Sequence, residues 1–225
     1  MNNADSIAGR LRALWPLKLA LTIALYPLLY APYLFLQQHH YFPATTLQAG
    51  KWELLIPFQP QAVWIYFSNF LLMGVGPYLM NQRGQILRYV GGLLLITFVA
   101  NVIFLFWPTV NVRPDPAGAN TVYRLLIVTD KPYHSFPSLH AAFAVYSALS
   151  GGLAVRDFAA SRAWRAVLWI WALLVLYSTI ATRQHVLVDI AAGSVLAFAG
   201  YACAFHTWKK SAVLPKIFPA MSDPT

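Results

Sequence analysis

The chain has 225 residues, 59% of them hydrophobic and 10% charged, where an average soluble domain carries about 25% charged residues. That excludes an ordinary soluble globule and a disordered chain, and leaves a small all-α integral membrane protein with one membrane-embedded domain over 1–225. The net charge of +9, from 16 Lys+Arg against 7 Asp+Glu, belongs beside anionic lipid in cytoplasmic loops, so no nucleic-acid partner is expected.

Six apolar segments follow in chain order, each near the roughly 20 residues that a membrane-crossing helix needs. They run over about 17–36, 61–80, 85–107, 138–154, 163–181 and 186–207. The first follows Arg10 and Arg12, takes in Lys18, and holds Pro27 and Pro32 as expected kinks. It is too long for the apolar region of a signal peptide and lacks a small-residue cleavage site, so it reads as an anchor. The single cysteine, Cys203, lies in the sixth segment. It excludes an intramolecular disulfide and a cysteine-based metal site.

Six spans put both termini on one side of the bilayer, with short tails at about 1–15 and 208–225. That side carries Arg10, Arg12, Lys18, Arg83, Arg88, Arg156, Arg162, Arg165, Lys209, Lys210 and Lys216. The other side carries Lys51, Arg113, Arg124, Lys131 and Arg183. The excess of Lys and Arg places both termini in the cytoplasm and the 37–60 and 108–137 loops outside. The longer loop, about 30 residues, is of a length that marks function or disorder, and its apolar stretch 122–128 reads as interfacial.

Ionisable groups at membrane depth are costly and point to function. His140 lies just inside the fourth segment, His185 at the mouth of the sixth, and Asp189 one turn deeper. His185 and Asp189, four residues apart, share a helix face. A carboxylate so placed accepts a hydrogen bond from one imidazole nitrogen and leaves the other nucleophilic. The same spacing also fits a structural hydrogen bond or a pair of metal ligands. Ser138 is a candidate N-cap for the fourth segment, and a helix N-terminus is a ready phosphate site. Arg113 and Arg183 add guanidinium forks suited to phosphate oxygens, or else anchor the interface. Two histidines, a carboxylate, a helix N-terminus and two arginines at one depth point to phosphoryl transfer through a phosphohistidine.

These residues resemble the motifs of the type 2 phosphatidic acid phosphatase superfamily, which are Lys-x6-Arg-Pro, Pro-Ser-Gly-His and Ser-Arg-x5-His-x3-Asp on six transmembrane helices. The first survives as Arg113-Pro114. The second reads Pro137-Ser138-Leu139-His140, with leucine for glycine. The third reads Ser178-Thr179, then five residues, His185, three residues and Asp189. The resemblance implies His185 as nucleophile, Asp189 as its orienting partner, His140 as general acid, and Arg113 and Ser138 on the phosphate. It also implies chemistry without metal or other cofactor. Two positions depart from the pattern: Phe106 stands where the family has lysine, and Thr179 where it has arginine. Arg183, Lys131 and His134 are the candidates to replace those charges. Arg183 two residues before His185, and Pro108-Thr109 before Arg113, look like the sphingolipid-synthase and inositol-phosphotransferase branch.

The expected function is therefore hydrolysis of a lipid phosphate at the outer face of an inner (plasma) membrane of bacterial type, with membrane lipids as surroundings. Headgroup transfer to an alcohol is the alternative; hydrolysis is favoured because water needs no dedicated acceptor site. A proton-coupled transporter and a non-catalytic scaffold are the other classes. Against the transporter, the ionisable groups gather at one end with no charged ladder through the spans.

Overall fold

The computed structural model of the chain describes residues 6–39, 41–115 and 119–211, with 206–211 by backbone alone. Helix α1 (Ile7–Arg12) leads into α2 (Trp15–Gln38), which contains Pro27 and Pro32 within one helix. After strand β1 (Thr45–Leu47) and the single turn α3 (Lys51–Leu54), a 3-10 turn at Pro60–Ala62 opens α4 (Val63–Phe67) and α5 (Asn69–Leu79). Then come α6 (Arg83–Phe106), β2 (Thr109–Asn111), α7 (Thr121–Thr129), α8 (Leu139–Ala154), α9 (Ser161–Ala181) and α10 (Leu187–Ser211).

Among the described residues, five helical stretches are long and apolar enough to cross a membrane: Trp15–Gln38, Pro60–Leu79, Arg83–Phe106, Ser161–Ala181 and Leu187–Phe205. The remaining expected span, the fourth, is α8, which has only 16 residues. Its environment explains the difference. Helix α8 is the buried centre of the bundle, packed by α5, α9, α10 and α6, so its outer surface meets protein along most of its length. The expected side chains of Lys209 and Lys210, Lys216 with the rest of 212–225, and residues 1–5 lie outside the described residues.

Small residues let the helices close on α8. Ala141, Ala142, Ala144 and Ala148 are fully buried, and a Cβ built on Gly76 of α5 would stand 3.4 Å from the Gly151 Cα. In an apolar solvent there is no hydrophobic drive between helices, and such close backbone approach supplies packing instead. At the end of α8 remote from its histidine, Arg10 donates to the Ala154 carbonyl at 2.7 Å, and Lys18 donates to the carbonyls of Arg10 and Tyr78 at 2.6 and 2.8 Å. Helix α1 thus supplies a donor to a carbonyl at the C-terminal end of α8, which has no N–H partner within the helix.

The opposite end is not purely helical. Strands β1 and β2 pair in parallel with Thr45 opposite Thr109 and Leu47 opposite Asn111, and Tyr133 bridges Val110 from the other side. The expected all-α architecture therefore carries a small β ribbon. The 108–137 loop is tied down by it: His134 N–H donates to the Thr109 carbonyl at 2.8 Å, and Asn111 N–H to that of Pro132 at 3.2 Å. The apolar stretch at 122–128 lies within helix α7.

One contact sets how α10 meets the start of α8. A Cβ on Gly193 would fall 2.2 Å from the Ser138 carbonyl oxygen and 3.2 Å from the Ala142 nitrogen. Those are backbone atoms and cannot rotate aside. Gly193→Ala is therefore expected to push α10 off α8 and separate the groups carried on each. A shift of about 1 Å can cost roughly 10²-fold in rate. The check is the folded variant's rate in the phosphate-release assay that the sequence motifs call for, beside its thermal unfolding in detergent, and an unchanged rate would show that the two helices yield without consequence.

Candidate active site

The turn from α9 to α10 is built around Arg183, whose backbone is left-handed with φ 58°. The Gln184 and His185 amides both donate to the Thr179 carbonyl, at 2.9 and 3.1 Å. His185 thus sits in the turn, two residues ahead of α10, and not on the helix as its spacing from Asp189 implies. The pair still meets, because Asp189 folds back over the helix start. Its Oδ2 accepts from Val186 N–H at 3.1 Å, from Asn111 Nδ2 at 2.9 Å and from His185 Nδ1 at 3.3 Å. An ionised carboxylate only accepts, so the His185 proton lies on Nδ1 and its Nε2 keeps a lone pair. Asp189 is fully buried, and Asn111 fixes it from β2 while also donating to the Gln184 carbonyl at 2.9 Å.

His140 comes from the first turn of α8. Ser138 caps this helix, its Oγ accepting from Ala141 N–H at 3.2 Å, and its own N–H donates to the Asp189 carbonyl at 3.0 Å. The two helix starts are thereby joined backbone to backbone. The Leu139 and His140 amides lie in the first turn, where no intrahelical acceptor exists. The His140 ring is stacked on Tyr66 with ring centres 3.9 Å apart, and its Nδ1 is 3.1 Å from the Tyr66 hydroxyl. Its Nε2 is buried with no hydrogen-bond partner among the described residues. The His140 and His185 rings are 6.2 Å apart, centre to centre.

Both histidines line a cavity of about 200 Å³ whose walls include Tyr30, Tyr33, Tyr66, Phe67, Phe70, Asp130 and His134. Among the described residues lining it there is no lysine or arginine. Asp130 is held by Tyr33 at 2.7 Å and Gln37 at 2.8 Å on Oδ1, with the Tyr66 hydroxyl 3.4 Å from Oδ2.

The structure brings Ser138, His140, His185 and Asp189 together. It places the two arginines differently. Arg113 stands behind Asp130, with Nη2 3.6 Å from its carboxylate and Nη1 donating to its carbonyl. The Arg183 guanidinium turns away from the cavity and donates to the Glu53 and Ile56 carbonyls at 2.8 and 2.7 Å. Glu53 in turn accepts from Leu187 N–H at 3.0 Å, so α3 and Arg183 together hold the His185 turn. Tyr123 of α7 braces it as well, donating to the Thr182 carbonyl at 3.0 Å. Burial raises the Tyr123 phenol above its ordinary range, which keeps that donor protonated.

Of the positions that depart from the family pattern, Phe106 is 64% exposed and packs on Phe42, and Thr179 is buried with its hydroxyl on the Leu176 carbonyl at 2.7 Å. Lys131 is exposed; it meets the site through its backbone, which accepts from Gln37 and Arg113. His134 is buried against Phe104. Sequence reasoning missed Asp130, Tyr66 and Asn111. Asp130 had a signal, as one of 7 acidic residues in the chain; Tyr66 and Asn111 had none.

A family model described as the PAP2 superfamily matches residues 85–212, more than half of the chain. No curated protein and no solved structure matches it.

Proposed function

The chain belongs to the PAP2 superfamily, and from that membership we propose that it is a membrane-embedded lipid-phosphate phosphatase working through a phosphohistidine on His185. One observation carries the reading. Two imidazoles 6.2 Å apart share a cavity, one with its Nδ1 proton committed to a buried carboxylate and the other with an unpartnered Nε2. Attack needs reacting atoms at about 3–3.5 Å, and proton donation needs about 2.6–3.2 Å. Facing imidazoles of this kind suit a phosphoryl group that takes attack from one ring while its leaving oxygen meets the other.

In this reading His185 Nε2 attacks phosphorus, Asp189 holds its tautomer, and His140 protonates the departing lipid oxygen. The first-turn amides of α8 beside Ser138 take the phosphate oxygens. Arg113 acts from behind Asp130, whose carboxylate and carbonyl it holds, and Arg183 acts by holding the His185 turn. No step requires a metal. The Lys and Arg distribution supports a site on the extracytoplasmic side.

A second reading, transfer of a lipid headgroup to an alcohol, is favoured by Asp130. A carboxylate among tyrosines and phenylalanines suits a headgroup bearing an ammonium group, and suits a doubly charged phosphomonoester less well.

The test is phosphate release by purified protein in detergent from a panel of lipid phosphates, beside headgroup transfer from an ammonium-bearing phospholipid to a lipid alcohol. Release is expected to persist in EDTA and to fall with vanadate. Loss in EDTA restored by zinc would favour a metal site at His185 and Asp189. Transfer without release establishes the second reading, and neither activity leaves a non-catalytic scaffold.

A further inference from the structure

The proposed acid, His140, needs both ring nitrogens protonated in order to donate from Nε2, and an imidazolium in an apolar bundle is costly without an anion. His185 has its carboxylate in direct contact. His140 does not, and the Tyr66 hydroxyl fills the gap, 3.1 Å from His140 Nδ1 and 3.4 Å from Asp130 Oδ2.

With Asp130 ionised and His140 charged, one proton arrangement satisfies all three groups. The carboxylate only accepts, so the Tyr66 proton goes to its Oδ2, and the phenol oxygen accepts from His140 Nδ1–H. Nε2, which has no partner among the described residues, is then the nitrogen left for the cavity. The contact to His140 is at the long end of the usual range and the one to Asp130 lies beyond it; catalytic hydrogen bonds are often long before substrate binds.

Each member is held from outside the chain. Tyr33 and Gln37 of α2 occupy Asp130 Oδ1, so Oδ2 is the oxygen that faces Tyr66. Arg113 binds the Asp130 carbonyl and approaches Oδ2 to 3.6 Å. The Tyr66 ring is stacked on the imidazole at 25°, which restrains the tilt of the His140 ring. Three of these residues, Tyr33, Gln37 and Tyr66, precede the 85–212 segment that the family model matches.

We infer that Asp130 and Tyr66 form a relay that holds the His140 imidazolium, and that they are positioning residues for the acid step. This rests on the reading of His140 as the general acid. As the His185 Nε2–phosphorus bond forms, the phosphorus–lipid oxygen bond breaks and that oxygen takes the Nε2 proton of His140. His140 is left neutral, its Nδ1–H still donating to the Tyr66 oxygen. In the return step Nε2 takes a proton from the attacking water, the phosphorus–nitrogen bond breaks, and the imidazolium is restored with its relay unchanged.

The experiment compares kcat and KM for a lipid phosphate and for nitrophenyl phosphate, whose leaving group needs little protonation. The variants are Tyr66→Phe, Asp130→Asn, His140→Ala and the double variant Tyr66→Phe/His140→Ala. Tyr66→Phe keeps the stacked ring and is decisive should Asp130→Asn loosen its loop. It is expected to lower kcat on the lipid substrate about 10–100-fold, the weight of a hydrogen bond to a charged group, with KM little changed and a much smaller loss on nitrophenyl phosphate. In the His140→Ala background it should add almost nothing, because the two residues act as one unit. Equal losses on both substrates, or a full additional loss in the double variant, would make Tyr66 and Asp130 purely structural and overturn the relay. A selective loss in His140→Ala with none in Tyr66→Phe overturns the relay alone. An unselective loss in His140→Ala overturns the acid reading and the relay with it.

Discussion

His185→Ala is expected to abolish turnover of every phosphate substrate and to leave no covalent phosphoenzyme. The side chain it removes is the one whose Nδ1 proton is fixed by Asp189 at 3.3 Å and whose Nε2 keeps its lone pair. In this reading His140 does not replace it, because its Nε2, unpartnered among the described residues, carries the proton for the leaving oxygen and has no lone pair to attack with. Asp189→Asn should be a milder version, on the order of 10²–10⁴-fold down, because an amide in place of the carboxylate can present a donor and favour the wrong tautomer. The measurement is rapid quench with labelled phosphate, followed by recovery of acid-labile label on the protein. Label persisting in folded His185→Ala would move the nucleophile elsewhere and sink the phosphohistidine assignment.

For His140→Ala the expected signature is selective. General acid help contributes typically about 10²–10⁴-fold, and it counts most for a poor leaving group such as a lipid alcohol. Activity on lipid phosphates should therefore fall by that order, while an activated aryl phosphate, whose leaving group departs as a stable anion, should lose far less. The ratio of the two rates is the quantity to measure. A ratio equal to that of the unsubstituted protein would confine His140 to phosphate binding.

The apolar segments were legible because twenty apolar residues have few places to be. The expected first, third and fifth spans reappear as α2, α6 and α9 with edges within about two residues. Helices α1 and α3 and the β ribbon were not legible. Each is a few residues long, and each is held by contacts made from afar, such as Arg10 on Ala154 or Arg183 on Glu53. The same division runs through the site. Ser138, His140, His185 and Asp189 carry their relation in chain spacing, and the fold gathers them. Asp130, Tyr66 and Asn111 stand on three separate elements, and no spacing connects them to the histidines. Arg183 shows the reverse case. Its place two residues before His185 points to phosphate, yet a left-handed backbone at φ 58° sends its guanidinium toward α3.

The shortness of α8 has a consequence for the lipid around the protein. At about 1.5 Å per residue, its 16 residues rise about 24 Å, less than the roughly 30 Å of a bilayer's hydrocarbon core. The longer helices around it match that core better, and Arg10 tethers the far end of α8, its own carbonyl held by Lys18. In a bilayer matched to those longer helices, the histidine end of α8 would sit recessed beneath the plane of the phospholipid headgroups. Hydrophobic mismatch becomes a control on chemistry: a bilayer of longer acyl chains buries the histidines deeper, and a thinner one brings them toward the phosphates they act on.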